Sequence, residues 1–134
     1  MRLSRLFTPR LVASAHCDLP CGVYDPAQAR IEAESVKAIA EKYQASEDSE
    51  FRTRALIIKE QRAELVKHHL WVLWTDYFKA PHFEKYPHLH GLLNEATKLA
   101  GAGGAKGSAD PAVADQLLAK IEEISKIFWD TKDQ

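Results

Sequence analysis

The sequence predicts an all-α protein, an antiparallel four-helix bundle with a short ordered loop at its N-terminal end. Three observations carry that prediction. Apolar residues recur at helical spacing in four stretches, no stretch alternates as a strand would, and the links are short and marked by Pro, Gly, Asp or Ser. A chain of 134 residues has room for one domain around one core. Its formal charge of −1 gives no bulk attraction for a polyanion, which argues against a nucleic-acid partner. No apolar run approaches the length of a membrane span.

Residues 1–15 carry Arg2, Arg5 and Arg10, contain no acid, and end in Ala13-Ser14-Ala15. The small-residue ending resembles a signal-peptidase site, but Pro9 and Arg10 break the apolar region that export requires. The segment is read as a pro-segment that is cut away, leaving a domain over 16–134. Removal of three arginines takes the formal charge from −1 to −4 and exposes an amine on His16.

Residues 16–24 read His-Cys-Asp-Leu-Pro-Cys-Gly-Val-Tyr and hold both cysteines of the chain. Pro20 and Gly22 favour a turn around Cys21. Two thiolates, an imidazole and a backbone nitrogen in so compact a loop form a donor set that suits square-planar Ni(II) or Cu(II). A Cys17–Cys21 disulfide would close the same loop and is the competing reading. Zinc fits poorly, because a structural zinc site wants four side-chain ligands and His16, Cys17 and Cys21 supply three.

The first helix is expected over about 26–44, opened by Asp25-Pro26 with Gln28 in the first turn. Its apolar stripe is Val36, Ile39, Ala40 and Tyr43, and the stripe continued backward lands on Glu32. The second helix is expected from about 49 to 78, with Ile58, Leu65, Val66, Leu70, Leu73, Trp74 and Tyr77 inward. Arg62 falls on that inward stripe, so a buried acid on one helix meets a buried base on the next. A structural ion pair tying the two helices is the simpler explanation of the same pattern. Residues 79–87, bracketed by Pro81 and Pro87, read as a rigid connector, and a third helix follows over about 87–99. The run G-A-G-G-A-K-G-S at 101–108 reads as a flexible loop; no strand precedes it, so it is not a phosphate-binding loop. Asp110-Pro111 opens a fourth helix with Val113, Leu117, Leu118, Ile121, Ile124 and Phe128 inward, ending near Lys132. His68, His69, His88 and His90 lack ligand spacing on a helix, and His69 reads as a core or interface histidine.

Three functions compete on these residues. A redox metalloenzyme, a metal carrier and a thiol–disulfide oxidoreductase would each use the loop. The oxidoreductase lacks its C-x-x-C at a helix start in an α/β setting. A carrier would expose its site for exchange, whereas the inward Glu32 and Arg62 suit one fixed geometry.

The run H-C-D-L-P-C-G-V-Y resembles the nickel hook of nickel-containing superoxide dismutases. The likeness continues through D-P-A-Q-A-R-I-E-A-E-S-V-K, K-E-Q-R-A-E-L, K-H-H, D-Y-F-K-A-P-H-F-E-K-Y-P and I-F-W-D-T-K, spanning 16–134. It implies one nickel ion per chain, held by the amine and imidazole of His16, the backbone nitrogen and thiolate of Cys17, and the thiolate of Cys21. It implies that superoxide is disproportionated to dioxygen and hydrogen peroxide by Ni(II)/Ni(III) cycling, an antioxidant role. By the same resemblance Glu32 hydrogen-bonds the His16 imidazole and Arg62 orients Glu32. Tyr24 and Asp18 stand beside the open axial position, Tyr77 lies further out, and Lys79 attracts the anionic substrate. Lys106 matches a second such lysine across an apparent two-residue insertion. The family pattern further implies a four-helix bundle assembled as a homohexamer. A processing protease and a nickel chaperone are expected partners, and the broken apolar region of residues 1–15 sets the expectation of a cytoplasmic location.

Overall fold

The structure, a computed structural model, describes residues 21–132. Its elements are α1 (Ala27–Ala45), α2 (Ser49–Val72), a π-helical turn (Leu73–Tyr77), α3 (Ala80–Lys85), α4 (Leu89–Ala100) and α5 (Pro111–Lys132). The described residues are all-helical with no strand, as the sequence predicts, but there are five α-helices where four were expected. The connector over 79–87 is the difference: Pro81 sits in the first turn of α3, where its missing N–H costs nothing. The second helix also departs from expectation. It leaves α geometry after Val72, and Phe78 N–H reaches the carbonyl of Leu73, five residues back, at 2.9 Å.

Aspartates open the three long helices that begin after a loop. Asp25 accepts from Ala27 N–H at 2.8 Å, Asp48 from Glu50 N–H at 2.9 Å, and Asp110 from Ala112 N–H at 2.9 Å. Helix α1 packs against α2 and α5, and α4 packs against the same two. The buried line on α1 is Ala29, Ala33, Val36 and Ala40, and on α2 it is Ala55, Lys59, Ala63, Val66 and Leu70. Small side chains on both faces let the two backbones approach. The true stripe on α2 is therefore rotated from the expected one, and Ile58, Arg62 and Leu65 lie on its flank, partly exposed. Leu89 and Leu93 from α4 and Leu117, Ile121, Ile124 and Phe128 from α5 complete the core. His69 is buried. No helix among the described residues is long and apolar enough to cross a membrane.

The glycine-rich run is not the flexible loop its composition suggests. Ala105 N–H closes on the carbonyl of Leu99 at 2.7 Å and Lys106 N–H on that of Gly101 at 3.1 Å. A β-carbon at Gly104 would meet the Leu99 carbonyl oxygen at 2.0 Å, so only glycine fits there. Lys59, 1% exposed, reaches from α2 to donate to the Ala105 carbonyl at 2.5 Å and pairs with Glu60 at 2.7 Å. A buried ammonium with two oxygen partners pins this turn to α2, an anchor that no sequence pattern announced.

Candidate active site

The described part of the N-terminal loop begins at Cys21, which is exposed, and continues through Gly22 at φ +74°. Space is open around a β-carbon at Gly22, so the turn itself, not crowding, calls for glycine. His16, Cys17 and Asp18 lie outside the described residues.

Gly22 leads into an open cleft of about 340 Å³. Tyr24, Asp76, Tyr77, Lys79, His82, Thr131 and Lys132 line the rest of it. Four elements converge there. The π-helical turn widens the end of α2 and delivers Asp76 and Tyr77 to the wall, after which the chain extends at Lys79. Helix α3 supplies His82, whose Nδ1 accepts the Lys79 N–H at 3.2 Å. The last turn of α5 supplies Thr131 and Lys132.

The two phenol rings face one another, Tyr24 and Tyr77 having centroids 5.7 Å apart at 58°. Tyr77 is held from the other sides by Phe128 at 4.3 Å and by His82, stacked at 5.7 Å and 23°. Its hydroxyl lies 2.9 Å from Thr131 Oγ1 and donates at longer range, 3.3 Å, to the Phe128 carbonyl. Lys132 Nζ donates to the carbonyl oxygen of Tyr24 at 3.2 Å. Two ammonium groups, the Asp76 carboxylate and two phenols thus surround a small open volume reached through the residue after Cys21, an arrangement that admits a small anion near a sulfur able to hold a soft metal.

Of the residues the sequence singled out, Tyr24, Tyr77 and Lys79 meet at this cleft. Glu32 and Arg62 do pair, with one guanidinium nitrogen 3.1 and 3.3 Å from the two carboxylate oxygens, but they do not line it. Their burial differs from expectation: the Glu32 side chain is 17% exposed and that of Arg62 38%. The base is not buried, because the α2 stripe centres on Ala63 and leaves Arg62 at the flank. Lys106 also stands apart from the cleft. It pairs with Glu64 at 2.7 Å, and that hydrogen bond raises the Lys106 pKa and lowers that of Glu64. Asp76, His82, Thr131 and Lys132 went unnoticed in the sequence. Thr131 and Lys132 look like an ordinary helix end, and only the fold brings Lys132 across 108 positions to Tyr24. His82 alone had a signal, its place in the Pro-bracketed connector.

Cys21 is the one expected metal ligand among the described residues, and no three His, Cys, Asp or Glu side chains converge as a metal site there. A thiol presented on a left-handed turn beside a cationic, phenol-lined cleft fits a nickel site completed from residues nearer the N-terminus.

Comparison with known proteins agrees with this chemistry. The family model described as nickel-containing superoxide dismutase matches residues 11–132. A "Superoxide dismutase [Ni]" of Streptomyces coelicolor is 65% identical over 130 residues, 97% of this chain and 98% of that protein. One of the same name from Streptomyces seoulensis is 67% identical over the same shares. Among solved structures, a native nickel superoxide dismutase at 1.30 Å superposes with a TM-score of 0.85 at 65% identity, covering 89% of this chain and all of that one. A structure with nickel ligation of the oxidised state gives 0.85 at 66% identity over the same shares. With these matches running through nearly its whole length, the chain belongs to the nickel-containing superoxide dismutases, oxidoreductases whose cofactor is nickel.

Proposed function

We propose that superoxide is disproportionated at the cleft between Tyr24 and Tyr77, with one nickel ion per chain held by His16, Cys17 and Cys21. The observation that carries this reading is the convergence of Tyr24, Tyr77, Lys79 and Lys132 on the segment that follows Cys21. Nickel, when bound, supplies a one-electron couple that thiolate donors bring into range for both halves of the reaction.

The residues of the chain have separable tasks. Lys79 and Lys132 give the cleft mouth a local positive field, which a molecule of net charge −4 after processing cannot supply as a whole. Tyr24 and Tyr77 narrow the approach and keep bulky reductants from the thiolates. Glu32 accepts from the His16 imidazole, and Arg62 holds the carboxylate at 3.1 Å so that it presents one orientation. Asp18 stands with Tyr24 at the substrate side. Lys106 has no part in steering, because Glu64 already answers its charge.

Residues 1–15 are a pro-segment whose removal frees the His16 amine, and 16–134 are the dismutase domain. In support, the solved relatives are wholly covered yet match only 89% of this chain, against 97% for the curated sequences. The four long helices form an antiparallel bundle, a reading supported by α1 and α4 each packing on both α2 and α5. Val23, Ile31, Ile57 and Trp129, all more than 40% exposed, suit assembly into a homohexamer. A processing protease and a nickel chaperone are expected partners. The apolar region broken by Pro9 and Arg10 favours a cytoplasmic location.

The test is Cys21→Ser in the processed chain. Nickel content and superoxide turnover should both vanish while the far-ultraviolet helical signal stays, since Cys21 lies outside the core. A serine variant that still turns over superoxide at a comparable rate would remove the site.

A further inference from the structure

Three oxygens meet where the π-helical turn touches the last turn of α5: the Tyr77 hydroxyl, the Thr131 hydroxyl and the Phe128 carbonyl. Phe128 and Thr131 are three apart on α5 and share a face, so Thr131 donates back to the Phe128 carbonyl at 2.8 Å. Tyr77 Oη lies 2.9 Å from Thr131 Oγ1 and 3.3 Å from the same carbonyl. Thr131 is buried, 6% exposed, and the Tyr77 ring is fixed between Phe128 and His82.

The two hydroxyls own two protons, and the carbonyl owns none. If Thr131 keeps its proton on the Phe128 carbonyl, the contact of 2.9 Å is a hydrogen bond only when Tyr77 donates to Thr131. If Thr131 turns its proton to Tyr77, Tyr77 donates to the carbonyl instead. Each arrangement that fills these contacts places the Tyr77 proton on α5. Turning that proton toward the cleft would leave two oxygen lone pairs opposed, or the carbonyl without either hydroxyl, beside a threonine that is itself buried.

We propose that Thr131 is a positioning residue that commits the phenolic proton of Tyr77 to α5, so that Tyr77 meets the cleft as a hydrogen-bond acceptor. The role rests on the reading of this cleft as the approach to the metal. The two protons that complete hydrogen peroxide then come by a route that does not begin at Tyr77. Tyr77 instead accepts from a water or from the protonated product, and holds it at the Tyr24 side.

The experiment combines a spectroscopic readout on metal-free protein with kinetics on nickel-loaded protein. Ultraviolet resonance Raman of the tyrosine Fermi doublet distinguishes a donating phenol from an accepting one. Subtracting Tyr77→Phe from the unmodified protein isolates the Tyr77 doublet with the Thr131 side chain still present. The expected difference spectrum is that of a donor; Thr131→Val moves it toward a weaker donor, and Thr131→Ser restores it. In the loaded protein Thr131→Val should lower kcat/KM about fivefold, the usual worth of one hydrogen bond, with nickel content unchanged. Thr131→Ser should recover most of the loss. A Tyr77 doublet of accepting character in the unmodified protein, or one indifferent to Thr131→Val, overturns the positioning role and leaves the cleft reading standing. The expected Raman shift with kcat/KM unmoved in both Thr131→Val and Tyr77→Phe overturns the cleft reading, and the functional role of Thr131 with it.

Discussion

Lys132 donates to the backbone carbonyl of Tyr24 across 3.2 Å, joining the last turn of α5 to the residue at which the N-terminal loop enters the helical body. Its Nζ lies over the Phe128 and Trp129 rings, 5.1 Å from each centroid, so the ammonium is aimed and not merely exposed. The contact falls on a main-chain atom, so it restrains the loop whatever side chain follows.

Lys132→Met should keep the apolar stem and lose the tether. We expect turnover lower by about 3- to 10-fold and nickel lost faster to a chelator, the usual net worth of one hydrogen bond being about 0.5–1.5 kcal/mol. Thermal unfolding should change little. Chelator-challenge kinetics followed by metal analysis check this; unaltered nickel loss would show the tether to be idle.

Glu32 and Arg62 form a tie between α1 and α2 at the surface edge of their contact. Because Arg62 is 38% exposed, Arg62→Ala should cost about 1 kcal/mol in urea unfolding. A fully buried pair would cost about 3–5 kcal/mol. On the proposed role of the pair in orienting the His16 imidazole, either alanine should still lower turnover by about 10- to 100-fold. The double variant should match the worse single one; additive losses would mean that the two residues act separately.

Much of this molecule was legible in its sequence. The two Asp-Pro starts, the start near Ser49 and the end of α5 were readable because capping and turn chemistry and apolar spacing are local. The π-helical turn was not, since Leu73, Trp74 and Tyr77 keep an apolar pattern whether the winding is α or π. Lys59 defeated the pattern outright: a lysine at 1% exposure reads as surface until the Ala105 carbonyl is placed beside it. Arg62 was brought to the right partner but assigned the wrong depth, because alanines carry the contact and alanine weighs little in an apolar stripe. The cleft was half legible. Tyr24, Tyr77 and Lys79 came from motif resemblance, whereas Thr131 and Lys132 depend on a packing that spacing along the chain does not encode.

On the proposed steering role, Lys79 at the cleft makes the rate sensitive to ionic strength. The expected result is a turnover that falls as salt rises, with a shallower slope in Lys79→Ala. Lys106→Ala should leave the slope unchanged, Glu64 having answered its charge. Pulse radiolysis across a salt series measures both slopes, and equal slopes for the unmodified and Lys79→Ala proteins would end the steering reading.

Asp130 on α5 accepts from Lys85 at 2.8 Å and from the Tyr86 hydroxyl, closing α3 onto α5. Hydrogen bonds from Lys85 first, then Tyr86, hold the Asp130 pKa below its ordinary 3.8. A depressed carboxyl contributes stability above its unfolded value and loses it as pH falls through the folded one. Lys85 and Tyr86 are both raised, chiefly by the hydrogen bond to Asp130, so their share is present below their unfolded values and lost as pH rises through the folded ones. The difference in Tm between the unmodified protein and Asp130→Asn should be flat through the neutral range and shrink below pH 3.8 and above pH 10. A difference that does not narrow at acid pH would remove the Asp130 contribution.

On the proposed mechanism, nickel is bound through the amine that cleavage creates on His16. With Ala15 attached, that nitrogen is a peptide amide, which must lose a proton to bind metal. The decisive measurement compares the intact 134-residue chain with a chain beginning at His16, both loaded with nickel, for metal content and superoxide turnover. The chain beginning at His16 should hold one nickel and be active, and the intact chain should fold with the same helical signal, bind nickel weakly and be inactive. Equal nickel content and equal turnover in the uncut chain would contradict the amine ligand and leave a site built from side chains alone.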